Sequence, residues 1–515
     1  MTAYILAITV AAPFVAALAL LAIPKGLKDV TRVTALVGAA VSMAGSVWVA
    51  FNYDLAAGGF QLEEIYPVVP SLGIQLRLAV DGWSVSLLLL TGLIIVAGVL
   101  ATWTLEDREQ EFYILLLVLV AGVFGVFVCQ DLFLFFLFYE VAVLPMYILI
   151  GIWGSEGKVE ADGPFAFVWK LLNIGGRKYA AMKLTLMLLV GSAFILVVIL
   201  TLYFEAGGES FDLAVLEAYD FDPATQSWAF LFIWLGFGSL AGVFPFHTWS
   251  PDGHAAAPTA VSMLHAGVLM KLGAFGIMRV GMILLPEGAL QWAPVVGAVA
   301  VINIVYGALS AMSQKDLKYI VAYSSVSHMG VVMLGAATLT IDGWNGAVYQ
   351  MFAHGMMTGL LFALVGLLYG RAHTRWVPSM GGFGKVMPGV AFFFTLACLS
   401  SLGMPGTAGF VAELLVFLGA WQSDHSWWAI PGVLGAFVTA VYVLRATKHI
   451  FWGPGPSEEF HDLSDAKGVE WGALLILGTA IIVFGLAPSL MLDFIDVATT
   501  EYLSIVNPNS VTALP

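Results

Sequence analysis

The chain has 515 residues, 60% of them hydrophobic and 10% charged, with 20 Lys plus Arg against 34 Asp plus Glu and a formal net charge of −14. An ordinary soluble domain carries about 25% charge, so a mean hydropathy of +0.94 leaves too few polar residues to cover one. The composition excludes a water-soluble fold, and the negative balance argues against a nucleic-acid partner. In a bilayer only helices and closed barrels satisfy their own backbone. Apolar runs of about 20 residues, rather than short alternating segments, favour helices.

The first run, residues 1–23, has no basic segment ahead of it and is long enough to span, so it reads as a retained helix rather than a signal peptide. Further spans are expected near 31–51, 80–103, 112–129, 131–152, 181–204, 228–246 and 257–283. Six more follow near 294–313, 319–337, 343–369, 389–421, 428–450 and 470–492, giving about fourteen in all. Lys and Arg test the count independently. Lys25, Lys28, Arg32, Arg108, Lys158, Lys170, Arg177, Lys178 and Lys183 follow odd-numbered spans, as do Lys315, Lys318, Arg371, Arg375, Lys385, Arg445, Lys448 and Lys467. The loop over 205–222 carries instead Glu205, Glu209, Asp212, Glu217, Asp220 and Asp222. By the positive-inside rule both termini then face the periplasm of a bacterial inner membrane.

Two spans look interrupted. The run 389–421 is too long for one straight crossing and contains Gly403-Met404-Pro405-Gly406. The run 228–246 carries Gly236, Gly238, Gly242 and Pro245, then leads into His247-Thr248-Trp249-Ser250-Pro251. Gly and Pro are frequent in membrane helices, but two breaks five spans apart mark equivalent places in two repeats. Transporters built from inverted repeats place their ion sites at such breaks.

Three ionisable residues fall inside spans: Glu140, Lys271 and Glu413. A charge at the bilayer centre costs at least about 2.5–3.5 kcal/mol on insertion scales, so such groups face a bundle interior or a wet cavity. His247, His254, His265, His328 and His354 add imidazoles that can accept and donate protons. A structural salt bridge or hydrogen-bonded packing is the alternative for each. No two of these histidines share the i, i+3 or i+4 spacing of a metal pair. Cys129 and Cys398 both sit in apolar runs, and the sequence carries no phosphate-binding or dinucleotide-binding glycine motif and no cysteine set for an iron–sulfur cluster. Any energy source therefore lies in a partner.

These residues resemble the M subunit of complex I, the NADH:quinone oxidoreductase. The resemblance is carried by Tyr139-Glu140 with Leu144-Pro145-Met146-Tyr147, by the run from Phe244 to His254 with Ala257-Pro258-Thr259, and by the run from Ala266 to Gly273 around Lys271. It continues in Gln314-Lys315-Asp316-Leu317-Lys318, in Ala322 to Gly330 around His328, in Gln350 to Gly355 around His354, and in Gly406 to Glu413. It implies an all-α polytopic fold with two inverted five-helix repeats: residues 1–111 as N-terminal spans, 112–283 and 284–450 as the repeats, and 451–515 as the last loop and span. It also implies a translocase subunit of the respiratory chain that carries protons while redox chemistry runs elsewhere. Glu140, Lys271, Glu413, His328 and His354 match the family's proton-relay positions, with His247 and His265 as further relay candidates. Glu413 favours the M type, since the related L and N subunits carry lysine there.

The implied cofactors, FMN, iron–sulfur clusters and quinone, belong to other subunits, and none is expected in this chain. The implied partners are L-, N- and K-type membrane subunits, a hydrophilic redox arm and the lipid bilayer. A departure stands at Leu240, where the family has a lysine; no Lys or Arg occurs from 201 to 250. Glu140 is accordingly expected to meet hydroxyls, water or a histidine such as His247 rather than a cation from the seventh span. The alternatives are a cation/proton antiporter or membrane-bound hydrogenase subunit, or a structural paralogue whose first half-channel has decayed.

Overall fold

The computed structural model describes residues 4–156, 176–456 and 458–508, so Lys158 and Lys170 lie outside the described residues. Among those described, twelve helices are long and apolar enough to cross a membrane, or thirteen if a bent C-terminal pair counts as one. In chain order they begin with α1 (Ile5–Ala22), α2 (Lys28–Asn52), α3 (Gly82–Ala101), α4 (Glu109–Val128), α5 (Leu132–Trp153) and α6 (Arg177–Glu205). The seventh expected span is divided into α7 (Pro223–Ala241) and α8 (Trp249–Ala256). Then come α9 (Thr259–Met282), α10 (Pro286–Ser313), α11 (Leu317–Ala337) and α12 (Ile341–Ala372). The twelfth expected span is also divided, into α13 (Pro388–Ser401) and α14 (Ala408–Gln422), and α15 (Ala429–Phe451) follows.

Local chemistry sets these boundaries. Asp81 caps α3 by accepting from the Ser84 amide at 2.8 Å, and Asp131 caps α5 through the Leu134 amide at 3.0 Å. Each cap satisfies one of the amides that a helix start leaves without a partner. At the end of α7, Gly242 takes a left-handed conformation (φ 74°), and Pro245 follows. Between α13 and α14, Gly403 (φ 71°) and Gly406 (φ 89°) do the same around Pro405. A left-handed residue ends a helix, and glycine reaches that region without a Cβ penalty.

Two features were not foreseen. Residues 61–80, expected to be loop, form an antiparallel hairpin of β1 (Gln61–Val69) and β2 (Ile74–Val80). Arg77 on β2 reaches Asp212 at 2.6 Å, so the acidic 205–222 loop is met by a basic residue from the hairpin. The last expected span, 470–492, instead ends at Leu486: α16 (Glu470–Leu486) turns by 69° into α17 (Ser489–Val506) at Ala487-Pro488. Proline lacks the amide and restricts the residue before it, which accounts for the bend.

The bundle is layered by burial. All of the apolar window of α9 is buried, and 94% of the windows of α11 and α12, against 39% for α1, α2 and α6. The central helices are therefore shielded from lipid, and they carry Lys271, His328 and His354.

Candidate functional site

Lys271 lies on α9 with no exposure at all. The helix is widened to π-type turns at His265–Leu269 and again at Ile277–Met282, flanking the lysine on both sides. Such widened turns free backbone carbonyls and recur at functional sites. Here the Lys271 ammonium donates to the carbonyl of Ala266, inside the first widened turn. Its Nζ also stands 2.6 Å from Nδ1 of His354, on α12.

From His354 the polar path continues. Its ring centroid is 5.3 Å from that of His328, on α11. Nε2 of His328 is 3.1 Å from the Ser401 hydroxyl and Nδ1 is 3.2 Å from the Gln350 amide. The same Nδ1 is 3.5 Å from Oε1 of Glu413, on α14 just past the helix break. Glu413 is buried, and its other carboxylate oxygen lies where a Cβ on Gly403 would stand 2.6 Å away. The break thus brings a backbone without side chains against the carboxylate. Four residues from four helices form one line: Lys271, His354, His328, Glu413.

A second group of imidazoles, His247, His254 and His265, comes from the turn before α8, α8 itself and α9. The rings of His254 and His265 are 4.0 Å apart, and His265 stacks on Trp249 at 4.9 Å. His247 packs between Phe244 and Tyr306. None of the ring nitrogens of His247, His254 or His265 has a protein partner, nor does Nε2 of His354. Buried polar groups are normally hydrogen-bonded, so in a membrane interior these nitrogens call for water. Near them Asp252 on α8 receives hydrogen bonds from Lys183 at 2.8 Å and from Tyr319 at 3.0 Å, joining α6, α8 and α11. Lys318 is buried too and donates to the Ala257 carbonyl at 2.6 Å.

Glu140 stands apart from this line. It is partly buried on α5, its Oε1 is buried without a partner, and Ser192 of α6 is a side-chain hydrogen-bond partner. Among the described residues it makes no ion pair, and Leu240 is a buried apolar residue. Residues 201–250 carry no Lys or Arg to meet it, and a bond to His247 is not among its contacts in the described residues.

Lys183, Asp252, Tyr319 and Ser401 were not expected as site residues from sequence. Neither was a buried pair at the other end of α9. There Arg279 donates to Asp81, which also accepts from the Tyr502 hydroxyl at 2.7 Å. Among the described residues no group of three or more His, Cys, Asp or Glu is placed to hold a metal ion.

The transmembrane family described as NADH:quinone oxidoreductase/Mrp antiporter matches residues 129–439, which contain every residue of the line. The chain is 38% identical over 463 residues to NAD(P)H-quinone oxidoreductase chain 4 1 of Picosynechococcus sp., covering 88% of this chain and 83% of that one. It is 35% identical to NAD(P)H-quinone oxidoreductase chain 4 of Gloeobacter violaceus over 99% of this chain and 94% of that one. Among solved structures it superposes on a chain of respiratory complex I from Thermus thermophilus with a TM-score of 0.87 and 29% identity, covering 98% of this chain and all of that one. A chain of the Mrp complex from Dietzia sp. gives 0.83 at 20% identity, covering 99% of both chains, which is a likeness of fold.

Proposed function

The chain belongs to the NADH:quinone oxidoreductase/Mrp antiporter transmembrane family, as an antiporter-like membrane-arm subunit of a quinone oxidoreductase, and from that premise we propose that Lys271, His354, His328 and Glu413 carry its protons. The 2.6 Å contact between Lys271 and His354 supports this most directly. An ammonium at hydrogen-bond distance from an imidazole nitrogen can hand over a proton without rearrangement. The proton leaves Lys271 for Nδ1 of His354, passes to His328, and reaches the carboxylate of Glu413. Ser401 and Gln350 hold the His328 ring, so its orientation towards Glu413 is fixed. The Lys271 amine keeps its carbonyl partner and is recharged from the imidazoles of His265 and His254, with His247 further towards α7.

The finer assignments belong to the same reading. The subunit is of the M type, as its carboxylate at 413 and its chain 4 relatives support. Counting the divided helices α7–α8 and α13–α14 as one crossing each, and α16–α17 as one, gives fourteen spans. The two breaks lie at corresponding places in two repeats, 112–283 and 284–450. The termini face the periplasm of a bacterial inner membrane. L-, N- and K-type subunits adjoin the chain, and flavin, iron–sulfur clusters and quinone reside in other subunits. Glu140 belongs to the first half-channel, which works here without the usual lysine partner.

Purification from native membranes tests the assignment. Co-isolation with flavin- and iron–sulfur-bearing subunits, and quinone-dependent proton uptake after reconstitution, are expected. Co-isolation with membrane subunits alone and cation-driven proton exchange would instead favour an antiporter assembly, the reading that the Mrp-like fold supports.

A further inference from the structure

Beyond Glu413 a single apolar side chain closes the line. Val416 stands one turn further along α14 and is fully buried. Its Cγ2 lies where a Cβ on Gly335 of α11 would be 3.0 Å away and one on Gly346 of α12 would be 2.8 Å away. A Cβ on Gly346 would also stand 2.6 Å from the Val416 amide nitrogen. Two helices thus present bare backbone at one level, and the isopropyl group of the third fills the space. Past it come hydroxyls. The Oγ1 atoms of Thr338 and Thr340, at the turn between α11 and α12, are 3.0 Å apart, and a Cβ on Gly419 would stand 2.7 Å from that of Thr340. Two residues on, the partly exposed Asp342 accepts from the exposed Gln422 at 2.8 Å. At about 1.5 Å per residue the rise from Glu413 to Gly419 is roughly 9 Å, with Val416 halfway. On the Glu413 side lies Gln350, one turn from Gly346 on the same face of α12. Its amide nitrogen is 3.2 Å from Nδ1 of His328, but its buried Oε1 has no protein partner and calls for water. Polar groups therefore reach the valine from one side and resume on the other.

We propose that Val416 is the seal between Glu413 and the surface at Thr340, a dry constriction that holds the proton on Glu413 until α14 shifts against α11 and α12. The proposal rests on Glu413 as the last carrier of the line, and adds what keeps that carrier from equilibrating freely with the surface. An apolar constriction gates by excluding water. A β-branched side chain in a helix has one strongly preferred rotamer, so the valine does not swing aside by itself. The helix moves instead. α14 begins just past Gly403 and Gly406, where the break separates it from α13. With the seal open, the Glu413 carboxyl releases its proton to water held by the Thr338 and Thr340 hydroxyls and returns to the carboxylate. Close packing of α12 on α14 would account for the glycines alone. It does not account for an apolar plug set between two polar stretches.

Resting proton leak is the test. The intact complex is reconstituted in proteoliposomes enclosing a pH-sensitive dye, and a potassium diffusion potential is imposed with no electron donor present. Val416→Thr keeps the shape of the side chain and puts a hydroxyl in the constriction. It is expected to admit protons several-fold faster than the unaltered complex. Adding Glu413→Ala to it should return the leak to the resting level, because the path runs through that carboxylate. Damaged packing would leak with or without Glu413. Val416→Ala empties the space between the glycines without adding polarity and gives a second reading of the same leak. Membranes that stay tight in both valine variants, or a leak that persists without Glu413, overturn the proposal. The reading it rests on fails differently, by full pumping in Lys271→Met.

Discussion

Nζ of Lys271 and Nδ1 of His354 are 2.6 Å apart although 83 residues separate them in sequence. The contact joins α9 to α12, and so ties the end of the first proposed repeat to the middle of the second. A proton that crosses it changes half of the molecule. Replacing Lys271 by Met keeps the length of the side chain and removes its proton. General acid–base groups contribute on the order of 100-fold or more to their step. Lys271→Met is therefore expected to assemble and to lose most proton translocation, whereas Lys271→Arg, which holds its proton too tightly to relay it, assembles and is also impaired. Proton uptake into proteoliposomes is the measurement; full uptake by the Met variant would make the lysine structural.

Glu413 offers a sharper test, because its partner in the break is a glycine. Glu413→Ala should assemble and fail to pump, and Glu413→Asp should keep part of the activity. Gly403→Ala leaves every charge in place. It nonetheless forces a left-handed residue to carry a Cβ and presses that Cβ towards the Glu413 carboxylate. It is expected to lower pumping in the same direction as Glu413→Ala. Normal pumping by Gly403→Ala would show that the close packing at the break does not matter to the carboxylate.

Orientation is testable without activity. With the basic residues collected after odd-numbered spans, the 205–222 loop and both termini should be periplasmic. A single cysteine at Ser210 is exposed to label only if that holds. Reaction with a membrane-impermeant maleimide in intact cells is expected, and protection until the cells are broken would reverse the topology.

The residues of the line were legible because each is a chemical outlier in its neighbourhood. A Lys or Glu inside an apolar run cannot be neutral background, and Gly403-Met404-Pro405-Gly406 cannot continue a helix. Their order along the path was not legible, since it depends on which faces of α9, α11, α12 and α14 meet. The hairpin at 61–80 was hidden by being short, half-polar and placed between two strong spans. Lys183, Asp252 and Tyr319 lie close to span ends, where charged and aromatic residues are ordinary. Only the packing of α6, α8 and α11 turns them into one cluster.

Arg279 shows the same limit and gives the last prediction. In sequence it is a basic residue near the end of a span; Asp81 is 198 residues away and Tyr502 is on the helix beyond the 69° bend. In the structure both charges are buried, and the guanidinium lies 4.7 Å from the Tyr502 ring centroid and 5.1 Å from that of Phe60. The pair therefore joins α3, α9 and α17 at one point. Removing one partner leaves a buried charge uncompensated, which costs about 3–5 kcal/mol, whereas removing both costs far less. Arg279→Gln and Asp81→Asn should each lower the thermal stability of the solubilised complex and release α17 to proteolysis. The double variant should recover more than half of that loss. If the two single losses simply add, Arg279 and Asp81 stabilise the fold separately and the junction of α3, α9 and α17 rests on its aromatic packing instead.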